Sequence, residues 1–286
     1  MNLPNGLSNN KAGNFLSCTM PVPKVSILLP VYNVSAYLGE AIRSILQQSF
    51  TDFELIILND GSTDNTENVV LSFSDERIRY IKNERNSGLI YTLNKGIDLA
   101  TAEWIARMDG DDVADHQRIE KQWQYIQANP GIKAVATRVR LIDEHGKPKG
   151  RWKEDESMVT PKQIRDFLPK NNCIAHPSIM INTELIKKYR YDGRQLHTED
   201  YDLWLRLSAD GIGIYKVDEP LLLHRVHTSS VTRNDQGNVF FKLARSKFKF
   251  VKTEFSMGKI NGFIVSTILY GTSDWIKGNL KSIFSK

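Results

Sequence analysis

Three carboxylates within four positions, Asp109, Asp111 and Asp112, directly follow a short apolar run from Trp104 to Met108. Like charges this close destabilise one another unless a cation lies among them. Mg²⁺ and Mn²⁺ prefer carboxylate oxygens and keep water or substrate phosphates as their other ligands. Ligands of open α/β sheets bind beyond the carboxyl ends of the strands. The stretch therefore predicts a Mn²⁺ or Mg²⁺ site for a phosphate-bearing ligand at the end of a buried strand.

Two other interpretations of this stretch compete with the metal–phosphate site. A solvated acidic turn has the same composition and needs no metal. A calcium loop would place Asp109, Asp111 and Glu120 at its first, third and twelfth positions. Such a loop also requires an oxygen ligand and then a glycine where this chain has Val113 and Ala114, so the calcium interpretation is poor.

Composition and charge restrict the class of protein. The chain has 286 residues and ordinary apolar and charged fractions for a soluble globular protein. Its net charge of +5 is uneven, because Val239–Lys286 contains nine Lys or Arg against two acids, a local +7 that leaves about −2 elsewhere. This distribution predicts an anionic surface as partner of the tail and no nucleic acid partner for the body. Cys18 and Cys173 are too few for a disulfide framework, which favours a reducing cytoplasm.

The sequence shows neither the pattern of a signal peptide nor that of a membrane-spanning helix. Residues 1–22 are rich in Asn, Gly and Ser and lack a basic start followed by an apolar core, so they predict a disordered extension. The longest apolar stretch in the tail, Ile260 to Tyr270, is shorter than the roughly 18 to 20 residues that span a bilayer. These features favour a cytoplasmic protein.

The first half of the chain alternates strand and helix at the spacing of βαβ units. Four segments predict strands, three of which are buried apolar runs, and each is followed by a helical pattern. Asp64 and Glu67 have capping-box spacing at the second helix. Right-handed crossovers would bring the loops after the strands to one edge of the sheet. The predicted strands are Val25–Val31, Phe53–Leu58, Ile78–Lys82 and Trp104–Met108, and the predicted helices begin near Ser35, Asp64, Ser87 and Asp115.

The second half has a different pattern. Ile132–Thr137 and Arg138–Asp143 alternate like two antiparallel strands around a turn at 144–146. Thr160-Pro161 with Gln163 predicts a capped helix start, and Asp200 is a good N-cap for a helix that ends near Gly211. Further strands are predicted at Ile179–Ile181, Gly213–Val217 and Leu221–Val226.

Six motifs in this order resemble the family 2 glycosyltransferases, which are inverting enzymes. They are VSILLPVYN (25–33), ELIILNDGSTDNT (54–66), NSGLIYTLNKGIDLATAEWIARMDGDD (86–112), HPS (176–178), HTEDYDLWLRL (197–207) and RVHTSSVT (225–232). The resemblance covers about 25–232 and implies an α/β GT-A fold with a mixed, mostly parallel sheet flanked by helices. It implies a catalytic domain at 23–232, with a nucleotide-binding half at 23–130 and an acceptor-binding half at 131–232. A basic helical tail would follow at 233–286.

The resemblance assigns residues to the donor and the metal. Asp60 would accept a hydrogen bond from the uracil ring of a UDP-sugar, although it could also cap its own turn through Gly61 and Ser62. Asp111 would bind the metal directly, Asp109 would contact ribose or a metal-bound water, and Asp112 is a less certain neighbour. Donor contacts are also expected from Pro30, Tyr32 and Asn33 along the nucleoside, from Arg225 and His227 near the diphosphate (His227 as a metal or phosphate ligand), and from Arg85, Asn94 and Lys95.

The resemblance also assigns the catalytic and acceptor sides. Asp200 matches the general base that removes the acceptor hydroxyl's proton, and Glu199 is the alternative base. His176 and Ser178 match the segment that lines the acceptor side. The N-cap role of Asp200 is compatible with this assignment, since backbone N–H groups at a helix start favour an ionised carboxylate.

The implied activity is metal-dependent transfer of a sugar, of the hexosyltransferase type, from a nucleotide-sugar donor to a glycan or lipid-linked saccharide in cell-surface polysaccharide synthesis. The alternatives are a sugar nucleotidyltransferase and a non-catalytic nucleotide-sugar-binding scaffold. The tail has an apolar stripe with Lys and Arg beside it, and this stripe either lies on an anionic membrane at its inner face or packs on the domain. The stripe consists of Phe241, Ala244, Phe248, Val251 and Phe255.

Overall fold

The computed structural model of the protein describes residues 22–227 and 239–284. Most of the predicted N-terminal extension and the segment 228–238, which includes the end of the last motif and the start of the predicted tail, lie outside the described residues.

The first half of the chain alternates strand and helix as predicted. β1 pairs in parallel with both β2 and β4, and β2 pairs in parallel with β3. The loops that follow these strands therefore meet at one edge of the sheet. The elements are β1 (Val25–Val31), α1 (Ser35–Leu46), β2 (Phe53–Asn59), α2 (Thr66–Leu71), β3 (Ile78–Lys82), α3 (Leu89–Leu99) and β4 (Trp104–Arg107).

The second half extends the same sheet with antiparallel and parallel strands. Its elements are β5 (Val113–Ala114), α4 (Arg118–Ala128), β6 (Ala134–Ile142), α5 (Lys153–Ser157), α6 (Pro161–Phe167), β7 (Met180–Asn182), α7 (Thr183–Tyr189), α8 (Glu199–Ala209) and β8 (Tyr215–Arg225). Within the described residues the sheet has eight strands in the order β3-β2-β1-β4-β7-β6-β8-β5. The predicted mixed, mostly parallel sheet is confirmed.

Two predictions for the second half are wrong. Ala134–Ile142 forms one strand, not an antiparallel pair, and Tyr215–Arg225 likewise forms one strand, not two. β6 and β8 run parallel, and their register shifts on both sides of Arg138, which lies opposite Pro220. A bulge of this kind changes which face the following side chains occupy, so a continuous strand resembles two strands in the sequence.

The helix starts show one correct and one wrong capping prediction. At α6 the Thr160 side chain accepts from the Gln163 backbone N–H, and Gln163 completes the capping box as predicted. The box between Asp64 and Glu67 is not formed. Asp64 instead accepts hydrogen bonds from the backbone N–H groups of Ser35 and Thr66, at 3.1 and 3.0 Å, and so joins the first turn of α1 to that of α2.

Two apolar cores lie on the two faces of the sheet. Along β1, Val25, Ile27, Leu29 and Val31 point to the core that α1 and α4 cover, whereas Leu28 points to the other core. That second core also includes α3, α8 and the C-terminal helices. Burial of both faces holds the strand ends, and hence the loops of the site, in fixed positions.

Two helices near the C-terminus, α9 (Val239–Ser256) and α10 (Gly262–Phe284), pack against this second core through residues that include Phe250 and Phe263. The predicted tail stripe is divided, because Ala244 and Val251 are buried whereas Phe248 and Phe255 are exposed. None of the helices in the described ranges is both long enough and apolar enough to cross a bilayer.

Candidate active site

The acidic turn, Asp109–Asp112, begins two residues after β4 ends. One oxygen from each of its three carboxylates lies within 4.8 Å of the others, which is a spacing that suits one cation. Gly110 permits the turn to approach β1, because a Cβ at this position would lie 2.9 Å from Val31 Cγ1. The strand and the glycine together bring the three acids to the edge of the sheet where the other loops meet.

The three carboxylates have different partners. Asp111 Oδ2 lies 2.9 Å from His227 Nε2. Asp112 is fully buried; it accepts the Arg225 backbone N–H at 2.9 Å, and both of its oxygens lie 3.1 Å from His224 Nδ1. Asp112 therefore joins the acidic turn to β8 and offers the least exposed of the three carboxylates. Asp111 is the carboxylate of the turn that pairs with His227.

The charges of the acidic turn favour a bound cation. Burial raises the pKa of Asp109 to about 6, and burial together with the Asp112 charge raises the pKa of Asp111. Burial opposes the charged form of His224, but the Asp112 carboxylate outweighs it and raises the pKa of His224 to about 9. A raised pKa indicates that the surroundings do not fully stabilise the charged form of a carboxylate. The oxygen and imidazole donors thus fit a divalent ion such as Mn²⁺ or Mg²⁺.

Arg107, the last residue of β4, is a site residue that the sequence reasoning missed. It is 4% exposed, and its guanidinium binds both carboxylate oxygens of Asp109, with Nη1 2.8 Å from Oδ2 and a second, shorter contact between Nη2 and Oδ1. Burial raises the pKa of Glu199 and of Asp200, and the charge of Arg107 partly opposes that rise. The sequence signal was a lone arginine inside an apolar strand immediately before the acidic turn.

Glu199 and Asp200 form a carboxylate pair in the first turn of α8. The predicted N-cap role of Asp200 is wrong, because the helix begins one residue earlier and its N-cap is Thr198. Asp200 Oδ2 instead accepts a hydrogen bond from Asn172 Nδ2 at 2.9 Å. Burial raises the pKa of both acids, that of Glu199 to about 7 with help from the Asp200 charge. Glu199 is buried and Asp200 is half-buried, so Asp200 is the more accessible base.

Asp60 lies at the nucleotide-binding edge and is 5% exposed. Its carboxylate accepts hydrogen bonds from Asn83 Nδ2 and from the Ser87 and Gly88 backbone N–H groups, at 2.8 to 2.9 Å. A carboxylate can accept about four such bonds, so a ring N–H can still be accommodated. The alternative in which Asp60 caps its own turn is wrong, because Asn59 Oδ1 accepts the Ser62 N–H instead.

Lys95 and Asn33, which were also predicted to contact the nucleotide-sugar donor, stabilise the loops beside Asp60. Lys95 Nζ donates to Asn83 Oδ1 at 2.8 Å and so extends the Asp60 network. Asn33 has a left-handed backbone (φ 48°), receives the Thr63 N–H on Oδ1 at 2.8 Å, and donates its own N–H to Ser62 Oγ. Of its neighbours, Pro30 is buried in β1 and Tyr32 is exposed at the rim.

The remaining candidates have mostly structural contacts. Ser178 is fully buried and donates to the Ala175 carbonyl, so it has no surface with which to line an acceptor site. Asn94 exchanges two hydrogen bonds with the Tyr191 backbone, which engages both ends of its amide. His176 Nε2 lies 2.7 Å from Tyr191 Oη, and burial lowers the pKa of His176 well below its usual range. The Arg85 side chain is exposed.

Arg225 holds the acidic turn in place. Its Nε donates to the Asp111 carbonyl at 2.8 Å, its Nη2 donates to Glu40 Oε2 at 2.6 Å, and its guanidinium stacks on the Tyr37 ring at 4.8 Å. Tyr37 also contacts the His227 ring, with the ring centroids 4.9 Å apart. Arg225 therefore positions Asp111 through a hydrogen bond and His227 through the ring of Tyr37.

This fold and this acidic site define a glycosyltransferase of the GT-A type. Residues 26–190, more than half of the chain, match the family model described as "Glycosyl transferase family 2". The chain belongs to glycosyltransferase family 2 and is a glycosyltransferase.

Two relatives illustrate the similarity. The chain is 34% identical over 211 residues to the glycosyltransferase MJ1057 of Methanocaldococcus jannaschii, and the aligned region covers 72% of each chain. It is 33% identical over 215 residues to the O-antigen biosynthesis glycosyltransferase WbnJ of Escherichia coli, which covers 73% of this chain and 82% of WbnJ.

Solved structures share the fold at low identity. TarS of S. aureus in complex with UDP-GlcNAc aligns with a TM-score of 0.66 at 17% identity, over 89% of this chain and 79% of that chain. The mannosyltransferase PcManGT of Pyrobaculum calidifontis, in complex with GDP-Man and Mn²⁺, aligns with a TM-score of 0.59 at 13% identity, over 90% of this chain and 75% of that chain. These neighbours confirm the predicted fold.

Proposed function

We propose that this enzyme is a metal-dependent, inverting transferase that moves a sugar from a nucleotide-sugar donor, preferentially a UDP-sugar, to a saccharide acceptor. The observation that carries the proposal is the arrangement around Arg107. Its guanidinium binds Asp109 of the acidic turn, and its charge acts on the carboxylate pair Glu199 and Asp200. In this proposal the acidic turn would face the donor phosphates and the carboxylate pair would supply the base, with Arg107 as the buried cation that acts on both.

At the donor side, Asp111 and His227 would hold the divalent ion and Asp109, held by Arg107, would face the ribose. When bound, the ion would stabilise the negative charge of the departing nucleoside diphosphate. A GT-A neighbour was crystallised with Mn²⁺ and GDP-Man, and another with UDP-GlcNAc, which is consistent with this use of the acidic turn. The unused acceptor capacity of Asp60 supports recognition of a base that offers a ring N–H, such as uracil.

At the acceptor side, Asp200 would remove the proton of the attacking hydroxyl. The hydroxyl oxygen forms a bond to the anomeric carbon from the face opposite the diphosphate, and the bond between that carbon and the phosphate oxygen breaks. The electron pair of that bond leaves with the nucleoside diphosphate, so the configuration inverts. Asn172 fixes the Asp200 carboxylate, and burial together with the Asp200 charge raises the pKa of Glu199 to about 7.

We further propose that the acceptor is a glycan or a lipid-linked saccharide of a cell-surface polysaccharide. The name of WbnJ, an O-antigen biosynthesis enzyme, supports this acceptor class. We also propose that the enzyme acts at the cytoplasmic face of the membrane, where the excess of basic residues in 239–286 would favour peripheral contact with anionic lipid.

Membership of a glycosyltransferase family leaves little support for the two alternatives. A nucleotidyltransferase would need a Gly-rich, basic loop after β1, and this chain has Pro30–Asn33 there. A non-catalytic scaffold would not need an accessible carboxylate that Asn172 holds in place.

Asp200→Asn tests the proposed base. We expect the release of UDP from UDP-sugars to fall by at least about 100-fold in kcat, the low end of general-base catalysis, with donor affinity retained. Asp98→Asn is a matched control, because it makes the same change at an exposed carboxylate that pairs with Arg190 and is not a candidate site residue. Near-normal turnover by the Asp200 variant would transfer the role to Glu199 or another group. Pyrophosphate release from a nucleoside triphosphate would favour the nucleotidyltransferase.

A further inference from the structure

The outer face of α10 presents an apolar stripe in two parts, with Thr272 and Ser273 between them. Val265, Leu269, Ile276 and Leu280 recur at helical spacing and are 47 to 67% exposed; we call these four residues the α10 stripe. Trp275 and Tyr270 flank it and are 54% and 39% exposed. An exposed apolar stripe of this length usually marks an interaction surface.

The opposite face of α10 is fixed against α9. Gly271 and Gly278 allow this close packing, since a Cβ on either would lie 3.2 Å from Phe248 or 2.7 Å from Phe241. Asp274, on the same face, accepts a hydrogen bond from Lys247 Nζ at 2.5 Å. The α10 stripe is therefore held outward by packing on the other side of the helix.

The charge on these two helices identifies the kind of partner. Glu254 and Asp274, the acidic residues of α9 and α10, are 1% and 6% exposed and pair with Lys259 and Lys247. The exposed charges of the two helices are therefore all positive, and they include Arg245, Lys252 and Lys277. An apolar stripe on a pair of helices whose exposed charges are all positive complements a bilayer that contains anionic phospholipid, where Trp and Tyr lie at the level of the headgroups.

We propose that the α10 stripe inserts into the interface of an anionic bilayer, with α10 lying in the membrane plane. This rests on the proposed action at the cytoplasmic membrane face and assigns the contact to α10, whereas the sequence pattern had pointed to α9. A second copy of the chain is the other possible occupant of the stripe. Pairing two copies through these helices would bring together surfaces whose exposed charges are all positive, so charge favours the bilayer.

The test is cosedimentation with vesicles of phosphatidylcholine alone or with phosphatidylglycerol added. We expect the full chain to bind the anionic vesicles more tightly, by about fivefold for each lysine or arginine at the surface. The double variant L269E/I276E should bind at least about tenfold more weakly, since it removes two side chains from the apolar contact. Leu71→Glu is the matched control, because Leu71 in α2 is 64% exposed, similar to Leu269, and should bind like the parent.

The proposal is overturned if the parent protein does not cosediment with anionic vesicles, or if L269E/I276E binds them as tightly as the parent does. A lipid-free dimer that L269E/I276E dissociates, together with no vesicle binding, would assign the stripe to a second copy. Circular dichroism of the variants confirms that they fold. Release of UDP from UDP-sugars in lipid-free buffer should stay unchanged in L269E/I276E, so the membrane proposal and the catalytic proposal fail separately.

Discussion

Arg107→Met removes the buried cation of the site while keeping most of the apolar stem. Arg107 is 4% exposed and Asp109 keeps 28% side-chain exposure. Breaking a buried ion pair by removing one partner costs about 3–5 kcal/mol, because the other charge is left unpaired. Water reaches part of Asp109, so we expect the low end, a loss of about 3 kcal/mol in the free energy of unfolding. In a domain of this size each kcal/mol lowers Tm by roughly 2–4 °C.

A double-mutant cycle measures this pair directly. Arg107→Met, Asp109→Asn and the double variant are unfolded in urea with a chelator present, and tryptophan fluorescence is followed. Asp109→Asn removes the unpaired charge, so we expect the double variant to recover at least about 1 kcal/mol relative to the sum of the single losses. Arg190→Met is the control, since its pair with Asp98 is 40% and 57% exposed and should contribute less than about 1 kcal/mol.

Two outcomes would refute the reasoning about Arg107. A loss below about 0.5 kcal/mol in Arg107→Met, typical of a surface change, would show that Asp109 does not depend on this cation. A coupling energy near zero would show that the arginine stabilises the strand by packing and not through Asp109. Either result would remove Arg107 as the link between the acidic turn and the carboxylate pair.

Two further predictions concern pH and a tight turn. Burial raises the pKa of Glu199 from 4.5 to about 7, so the folded protein binds this proton more tightly than the unfolded chain does. The free energy of unfolding should therefore fall by up to about 3 kcal/mol as pH rises from about 5 to about 8 in metal-free buffer. Glu199→Gln should flatten this dependence on pH. An unchanged dependence in the variant would mean that another group titrates. Gly61 has a φ of 69°, and a Cβ there would lie 2.5 Å from the Arg85 carbonyl carbon, whereas Gly150 has a φ of 71° and nothing within 4 Å. Gly61→Ala should cost at least about 2 kcal/mol in urea unfolding and Gly150→Ala about 1 kcal/mol, and equal losses would show that only the backbone angle matters at Gly61.

The first four strands could be predicted to within one residue. A strand buried on both faces is a continuous apolar run, and Val25–Val31 ends at the predicted residues. Ile78–Lys82, which is only half-buried, also ends at the predicted residues. The second half could not be predicted as well, because the register shifts at Arg138 depend on pairing with β8, about 80 residues later in the chain. Local sequence does not encode such a partner.

The acidic turn and the carboxylate pair could be predicted because their residues are contiguous. Their partners could not, since Asn172 precedes Asp200 by 28 residues and His224 follows Asp112 by 112. Ser178 and Asn94 show the opposite error. Their polar side chains satisfy buried backbone groups, and residue type alone does not distinguish that role from ligand binding.

Thermal unfolding with UDP, GDP, CDP and ADP, each with and without Mn²⁺, tests most directly whether Asp111 and Asp60 form a metal-dependent nucleotide site. A ligand at one hundred times its Kd stabilises the folded state by about 2.7 kcal/mol. We predict the largest rise in Tm with UDP, a further rise with Mn²⁺, and loss of the Mn²⁺ increment in Asp111→Ala but not in the surface control Asp52→Ala. A preference for another nucleotide would change the donor and keep the enzyme class. No rise with any nucleotide, or an intact Mn²⁺ increment in Asp111→Ala, would contradict the account.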